Sequence, residues 1–332
     1  MNRKKCVSPL LVMLTPVLLL MLVSGCGKGE PAAKPDQPAA TAEPAAPTDP
    51  VQPVDPSDSP DPQTVSGRQD GERFEETIIL EGTEETVRYE HVRSDALGFE
   101  MDFDYEQFNR ISGPDFLRFV SAYDSAEIPD NYLEVKCNPK DAETVAAAVS
   151  AYLSLRYETV REPLVLEGAE SCIRIYTSGS KDGAGIPDLL QTVYIIPAAD
   201  GCRVATAHYT FESAEGFGRR FAYMMNTFLA IPAQGEKRMS EESALAAIER
   251  YCCISNPALV ESAEAEDYPF YWDVSTSDEQ EIVVLFRSYT GAQIRYHIDP
   301  VSGDTYAMEF VPGISEEETQ TDERLNAWEY AF

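Results

Sequence analysis

The chain has 332 residues, with 57 acidic side chains against 26 basic ones and a net charge of −31. Charge of that sign and size argues against nucleic acid as a partner, and against adhesion to anionic lipid through a basic patch. It suits a body that stands off a membrane in water.

The chain opens with Arg3, Lys4 and Lys5, followed by an apolar run from Val7 to Val23 and then Ser24-Gly25-Cys26. A positive start, a short greasy stretch and small residues at a cut site are the layout of an export signal. Pro9 and Pro16 would disturb a continuous buried helix. The tetrapeptide Val23, Ser24, Gly25 and Cys26 resembles the lipobox of bacterial lipoproteins. The resemblance implies a signal peptide over residues 1–25 and a Cys26 that is diacylglyceryl-modified on sulfur and becomes the first residue of the mature chain. Each buried methylene contributes roughly 0.8 kcal/mol, so two or three acyl chains anchor firmly where one would not. The expected location is the extracytoplasmic face of the cell membrane. Removal of residues 1–25 takes three positive charges away, so −31 becomes −34.

Residues 26–72 are the lipidated cysteine and a linker rich in Pro, Ala and Asp, as in "PAAPTDPVQPVDPSDSPDPQ" (Pro44–Gln63). Such a segment has too little apolar surface to offset the entropy of ordering and is expected to be disordered. Its prolines favour extended polyproline II at about 3.1 Å per residue, the form of a spacer through a cell-wall layer.

Residues 73–332 suffice for two domains. In the first, residues 73–233, "GFEMDFDY" (Gly98–Tyr105) alternates: Phe99, Met101, Phe103 and Tyr105 fall on one face, and Glu100, Asp102, Asp104 and Glu106 on the other. "YLEVKC" (Tyr132–Cys137) alternates likewise. Asn138-Pro139 offers an N-cap with proline at the first helical position, and Val145, Val149, Tyr152 and Leu153 form the apolar stripe of the helix that follows. Residues 171–178, 190–197 and 202–211 read as three strands, with a turn at Ala198-Ala199-Asp200-Gly201. Ser213 caps a closing helix with the stripe Phe217, Phe221, Met224, Met225 and Phe228. This element order, with "GFEMDFDYEQF" followed by "TAHYTFESAEGF", resembles the PsbP and Mog1-like fold over residues 74–231. The resemblance implies a binding or assembly scaffold and carries no active site with it.

The second domain, residues 234–332, begins with a helix whose N-cap is Ser240 and whose first turn carries Glu241 and Glu242, where the helix dipole favours acids. Ala244, Leu245, Ile248 and Cys252 make its apolar face. Strands follow at 270–276, 282–289, 292–299 and 305–311. The helix followed by hairpins, with "YHIDPVSGDTYAMEF" (Tyr296–Phe310), resembles a PepSY-type domain over residues 239–311. That likeness implies a restraining or chaperoning partner of another protein, often a peptidase. The acidic tail keeps Leu325, Trp328 and Phe332 available to dock. Strands with isolated helices and no regular βα alternation point to an α+β chain: two small domains, each an antiparallel sheet packed with one or two helices, after the linker.

The reactive residue types form no constellation. His91, His208 and His297 stand singly, one to a strand, and no His-Glu-x-x-His occurs. Ser178-Gly179-Ser180-Lys181 matches Ser-x-x-Lys, but that motif needs a helix start and two further motifs, and the stretch reads as a hairpin loop. Gly183 to Gly185 is a loop, not a phosphate cradle. The acidic face of Glu100, Asp102, Asp104 and Glu106 reads as a solvated strand face, because calcium wants six to eight converging oxygens. Asp299 and Asp304 read as turn residues. Cys137, Cys172, Cys202, Cys252 and Cys253 match no zinc or Cys-x-x-Cys spacing and read as reduced structural thiols. No catalytic residue, metal ligand or cofactor is assigned. The leading expectation is a non-enzymatic, lipid-anchored binding or modulatory protein of the bacterial cell envelope. Its partners are the membrane, through Cys26, and another envelope protein such as a peptidase, and not nucleic acid. The rival is a small-ligand-binding module or a hydrolase built on a carboxylate pair that only the fold brings together.

Overall fold

A computed structural model describes residues 67–80, 83–123, 130–181, 188–263, 271–288 and 290–332. The signal segment, Val23, Ser24, Gly25 and Cys26, the linker up to residue 66 and Gly183 to Gly185 lie outside the described residues. Among the described residues no helix is long and apolar enough to cross a membrane.

The chain runs through β1 (Arg73–Leu80), β2 (Thr83–Ser94), β3 (Phe99–Asp104), β4 (Phe108–Ser112), β5 (Phe116–Ser121), β6 (Tyr132–Asn138), α1 (Ala142–Leu153), β7 (Tyr157–Leu166), β8 (Ala169–Ser180), β9 (Leu189–Ala198) and β10 (Gly201–Thr210). A π-helical turn (Ala214–Gly218) leads into α2 (Arg219–Asn226) and β11 (Leu229–Ala230). After it come α3 (Glu241–Ser255), α4 (Ala258–Ala263), β12 (Tyr271–Ser277), β13 (Ile282–Arg287), β14 (Gln293–Ile298), β15 (Asp304–Phe310), β16 (Thr319–Asn326) and a 3-10 turn (Ala327–Glu329).

These strands make three sheets, ordered β1-β2-β3-β11, β4-β5-β6-β10-β9-β8-β7 and β12-β13-β14-β15-β16. Strand pairing within the sheets is antiparallel throughout. The expected α+β arrangement, one sheet per domain with one or two helices, is therefore overturned. Residues 73–233 hold two sheets rather than one, and strand predominates over helix. The reason lies in strands such as β1 ("RFEETIIL") and β7 ("YETVREPLVL"), at the edges of their sheets, which present many polar side chains to solvent. Such strands bury too little to show a clean period of two.

The first two sheets face each other across the main core. Phe99, Met101 and Phe103 of β3 meet Phe119, Leu133, Val135, Ala205 and Ala207 of the second sheet. Phe221, Met224, Met225 and Phe228, from α2 and the residues after it, close one side. Phe103 lies 4.9 Å from Phe119, and Phe99 stacks on Phe228 at 5.4 Å, ring centre to ring centre. Each fully buried side chain of this size contributes about 1.5–3 kcal/mol, so these rings fix the sheet spacing. The other face of the second sheet carries α1, whose Val145, Val149 and Leu153 pack on Ile175, Val193, Ile195 and Val204.

The N-cap of α1 is Asp141, whose side chain accepts from Thr144 N, so the expected Asn138-Pro139 start falls three residues early. The Asn138 amide is used elsewhere, donating to the carbonyls of Trp328 (2.8 Å) and Ala331 (3.2 Å). Ser213 also does not cap: its hydroxyl donates to Asn131 Oδ1 at 2.6 Å, and the chain enters α2 through the π-helical turn. In the third sheet Ser240 caps α3 by accepting from Ser243 N. Ala244, Ala247, Ile248 and Cys252 of that helix pack on Ile282, Val284, Tyr296, Ile298 and Ala307. The tail supplies β16, buries Trp328 beneath the same helix, and places Phe332 on the cluster under α1.

Candidate functional site

Alternation along β3 sends Phe99, Met101 and Phe103 into the core and Glu100, Asp102 and Asp104 to the opposite face. The sequence reads that face as solvated, and the fold overturns this for all three acids. Glu100, Asp102 and Asp104 are 2%, 3% and 4% exposed. Their cover comes from distant parts of the chain. Arg68, from the segment before β1, donates from Nη1 to Asp102 Oδ2 at 3.0 Å while its guanidinium lies 3.8 Å over the Phe74 ring. Arg220 of α2 donates from Nη1 to Asp104 Oδ2 at 2.7 Å. Asp102 N donates to Thr227 Oγ1 at 2.9 Å.

The register of β2 against β3 sets a second line of partners. Tyr89 lies opposite Asp104, His91 opposite Asp102, and Arg93 opposite Glu100. Side chains directly across a strand pair are close enough to interact, so the pairing places bases beside acids on one face. His91 Nδ1 meets Asp102 Oδ1 at 2.6 Å, and its Nε2 lies 4.0 Å from Glu100 Oε2. Arg93 donates from Nη1 to Glu100 Oε2 at 3.3 Å and from Nε to Asp95 Oδ1 at 2.8 Å. The segment read as the end of the linker belongs to this assembly: Gly71 N donates to His91 O and His91 N to Glu72 O, both at 2.8 Å.

Burial pushes the Asp104 carboxyl above its ordinary range, against the pull of Arg220 and of the amides of Glu106 and Gln107. Burial also raises the Tyr89 phenol, and the charge of Asp104 adds to it. The cluster opens on a cleft of about 210 Å³ lined by Arg68, Glu100, Asp102, Glu167, Thr227 and Leu229, among others. Glu100 is one of these lining residues, and its Oε1 is buried and accepts no hydrogen bond. Buried polar atoms are nearly always satisfied, so an unmet acceptor at a cleft wall is a place for an incoming donor.

His208 lies outside this cluster, donating from Nδ1 to Asp130 O at 3.0 Å and stacking on Tyr132. It borders a second cavity of about 190 Å³, shared with Tyr152, Glu249 and Trp272. His297 pairs through Nδ1 with Glu281 at 3.0 Å and stacks on Tyr306. Asp299 accepts from Val301 N and Ser302 N, and these amides hold its carboxyl below the usual range, as a turn aspartate requires. Ser178 and Ser180 lie within β8 rather than in a hairpin loop or at a helix start. The five described cysteines are buried and unpaired. No group of three or more His, Cys, Asp or Glu side chains is arranged to hold a metal ion among the described residues.

Sequence reasoning thus found the acids and mistook their setting. It missed Arg68, Arg93, Arg220 and Thr227. One local signal existed: His91 and Arg93 alternate on β2 just before the acids alternate on β3, so a tight antiparallel connection puts the two sets on one face.

No protein-family model matches the chain, and no curated protein matches it. Solved structures similar to parts of it include a mutant of protein Mog1, at a TM-score of 0.29 and 13% identity, covering 43% of this chain and 96% of that one. They also include a crystal structure from Bacteroides thetaiotaomicron, at a TM-score of 0.29 and 8% identity, covering 79% of this chain and 91% of that one. Similarity of this size assigns neither a fold family nor a function.

Proposed function

We propose that the chain is a non-enzymatic, lipid-anchored binding or modulatory protein at the extracytoplasmic face of a bacterial cell membrane. In this reading Cys26 carries the anchor, the Pro-rich linker spaces the body from the lipid, and the body engages another envelope protein. The observation that carries the non-enzymatic part is the pairing of the buried charges. His91, Arg68, Arg93 and Arg220 are each paired with Asp102, Glu100 or Asp104, and His91 is only 1% exposed, so its imidazole is held away from any substrate proton. A general acid or base must instead be within reach of a substrate proton and free to exchange it. The likeness of residues 239–311 to PepSY modules supports a restraining or chaperoning role towards that partner.

A second reading is kept because Glu100 and Asp102 share one cleft: a small-ligand-binding module. Two experiments test the proposal. Labelled palmitate is expected to enter the wild-type chain and not a Cys26→Ser variant, which should leave the membrane fraction. The full chain, used as bait in envelope extracts, is expected to retain a discrete envelope protein. Turnover of an ester, peptide or glycan that a single change at Glu100 or Asp102 abolishes would overturn the non-enzymatic reading.

A further inference from the structure

We propose that the cleft beside Glu100 binds a primary ammonium group; this deepens the binding reading above and rests on it. The charge around the cleft selects the sign. Glu100, Asp102 and Glu167 line it with Arg68, and Arg93 pairs with Glu100, so three acids stand against two arginines. An anion would face that excess at close range, whereas a cation is drawn in by it and by the net charge of −31.

The hydrogen-bond inventory selects the shape. Asp102 Oδ1 is taken by His91 and Asp102 Oδ2 by Arg68. Glu100 Oε2 is taken by Arg93, and the Thr227 hydroxyl both accepts from Asp102 N and donates to Met224 O at 2.8 Å. One buried carboxylate oxygen is left, Glu100 Oε1, on a side chain only 2% exposed, while the Glu167 carboxylate stands at the exposed rim. A guanidinium is best met by two oxygens side by side, and a divalent cation by six or more. A single buried acceptor suits a compact ammonium, whose three protons point in separate directions. Asn226 and Leu229 also line the cleft, the one with a side chain that carries a carbonyl acceptor and the other with an apolar wall for an alkyl stem. A free small amine and the lysyl side chain of a partner present the same chemistry, and the ligands below separate them.

Isothermal calorimetry on the full chain in detergent would use n-butylammonium, a short peptide with one internal lysine and blocked ends, and n-butanol as the uncharged control. Binding of at least one ammonium ligand and not of butanol is expected. Binding of the peptide alone identifies a partner's lysine, and binding of butylammonium identifies a free amine as sufficient. Glu100→Gln should weaken binding by about tenfold or more, the scale of a lost charged hydrogen bond. Glu167→Gln, at an exposed rim position that cannot unfold the cluster, should weaken it roughly two- to threefold, as removal of an exposed charge does.

No heat with either ammonium ligand, equal binding of butanol, or unchanged affinity in Glu100→Gln would overturn the proposal. If Glu100→Gln fails to fold, unchanged affinity in Glu167→Gln overturns it instead. Silence in the calorimeter with the envelope partner still retained sinks the ammonium site alone; loss of the partner sinks the broader reading.

Discussion

Arg203, wholly buried on β10, donates from Nε to the carbonyl oxygen of Gly98 at 2.8 Å. Its Nη2 donates to Ile231 O at 2.8 Å and to Asp200 Oδ1 at 2.9 Å, and Lys237 holds the other oxygen of Asp200 at 3.0 Å. One guanidinium therefore ties the β2–β3 turn, the β9–β10 turn and the chain leaving β11. Gly98 permits this because its φ is +71° and a Cβ there would lie 2.2 Å from Arg203 Nη2 and 2.6 Å from Ile231 O. The tie fixes the β2–β3 connection, and with it the register that sets His91 against Asp102.

Removing that charge should be costly. Arg203→Met leaves the carbonyls of Gly98 and Ile231 without their donor, while Lys237 still pairs with Asp200, and is expected to destabilise the protein by about 1–3 kcal/mol for each unmet buried acceptor. Gly98→Ala should cost more than about 1 kcal/mol through strain at positive φ and the clash. Urea unfolding followed by tryptophan fluorescence measures both, and a loss under 1 kcal/mol for Arg203→Met would refute the account.

His208 makes stability depend on pH. Burial lowers its pKa from 6.5, and the hydrogen bond to Asp130 O opposes this without reversing it. The folded state thus takes up a proton less readily than the unfolded chain. Above 6.5 both forms are neutral and the folded state keeps its full stability; as pH falls below 6.5 towards the folded pKa, that stability is lost. Urea midpoints measured from pH 7.5 down to 5 should fall, and His208→Gln should flatten that part of the curve. An unchanged slope in the variant would show that another group is responsible.

Asn138 pins the tail. Its amide satisfies the carbonyls of Trp328 and Ala331, while Trp328 Nε1 donates to Val301 O at 2.9 Å. Asn138→Ala leaves two buried carbonyls unmet and should cost about 1–3 kcal/mol. Limited proteolysis is the direct check: cleavage after residue 310 should quicken in the variant and stay slow in the wild type.

The thiols should be inert while the fold is intact. Burial pushes Cys172 up to about 11 and Cys202 and Cys252 up to about 12, which suppresses the reactive thiolate. Mass spectrometry of peptides after iodoacetamide at pH 8 should show slow labelling of these three in native protein and rapid labelling in urea. Rapid native labelling at Cys202 would contradict its burial beneath α1.

Much of the architecture was legible locally. The alternation of Phe99, Met101 and Phe103, the stripe of Phe221, Met224 and Met225, and the Ser240 cap are patterns contained within one element each. The β9–β10 hairpin was legible too, because Ala199-Asp200 is a two-residue turn between two apolar runs. Strands β1, β4 and β16 were not, since their exposed polar side chains carry little periodic signal.

By itself the sequence determined which residues share a face of β3, because side-chain direction along a strand depends only on position in the chain. It did not determine what lies over that face. Arg68, Arg220 and Thr227 reach Asp102 and Asp104 from 34, 116 and 125 residues away, and only tertiary packing brings them there. Period two separates two faces of a strand but says nothing about which face meets water. That is settled by where distant charges are carried, since a carboxylate stays buried only when a cation or a donor is buried with it.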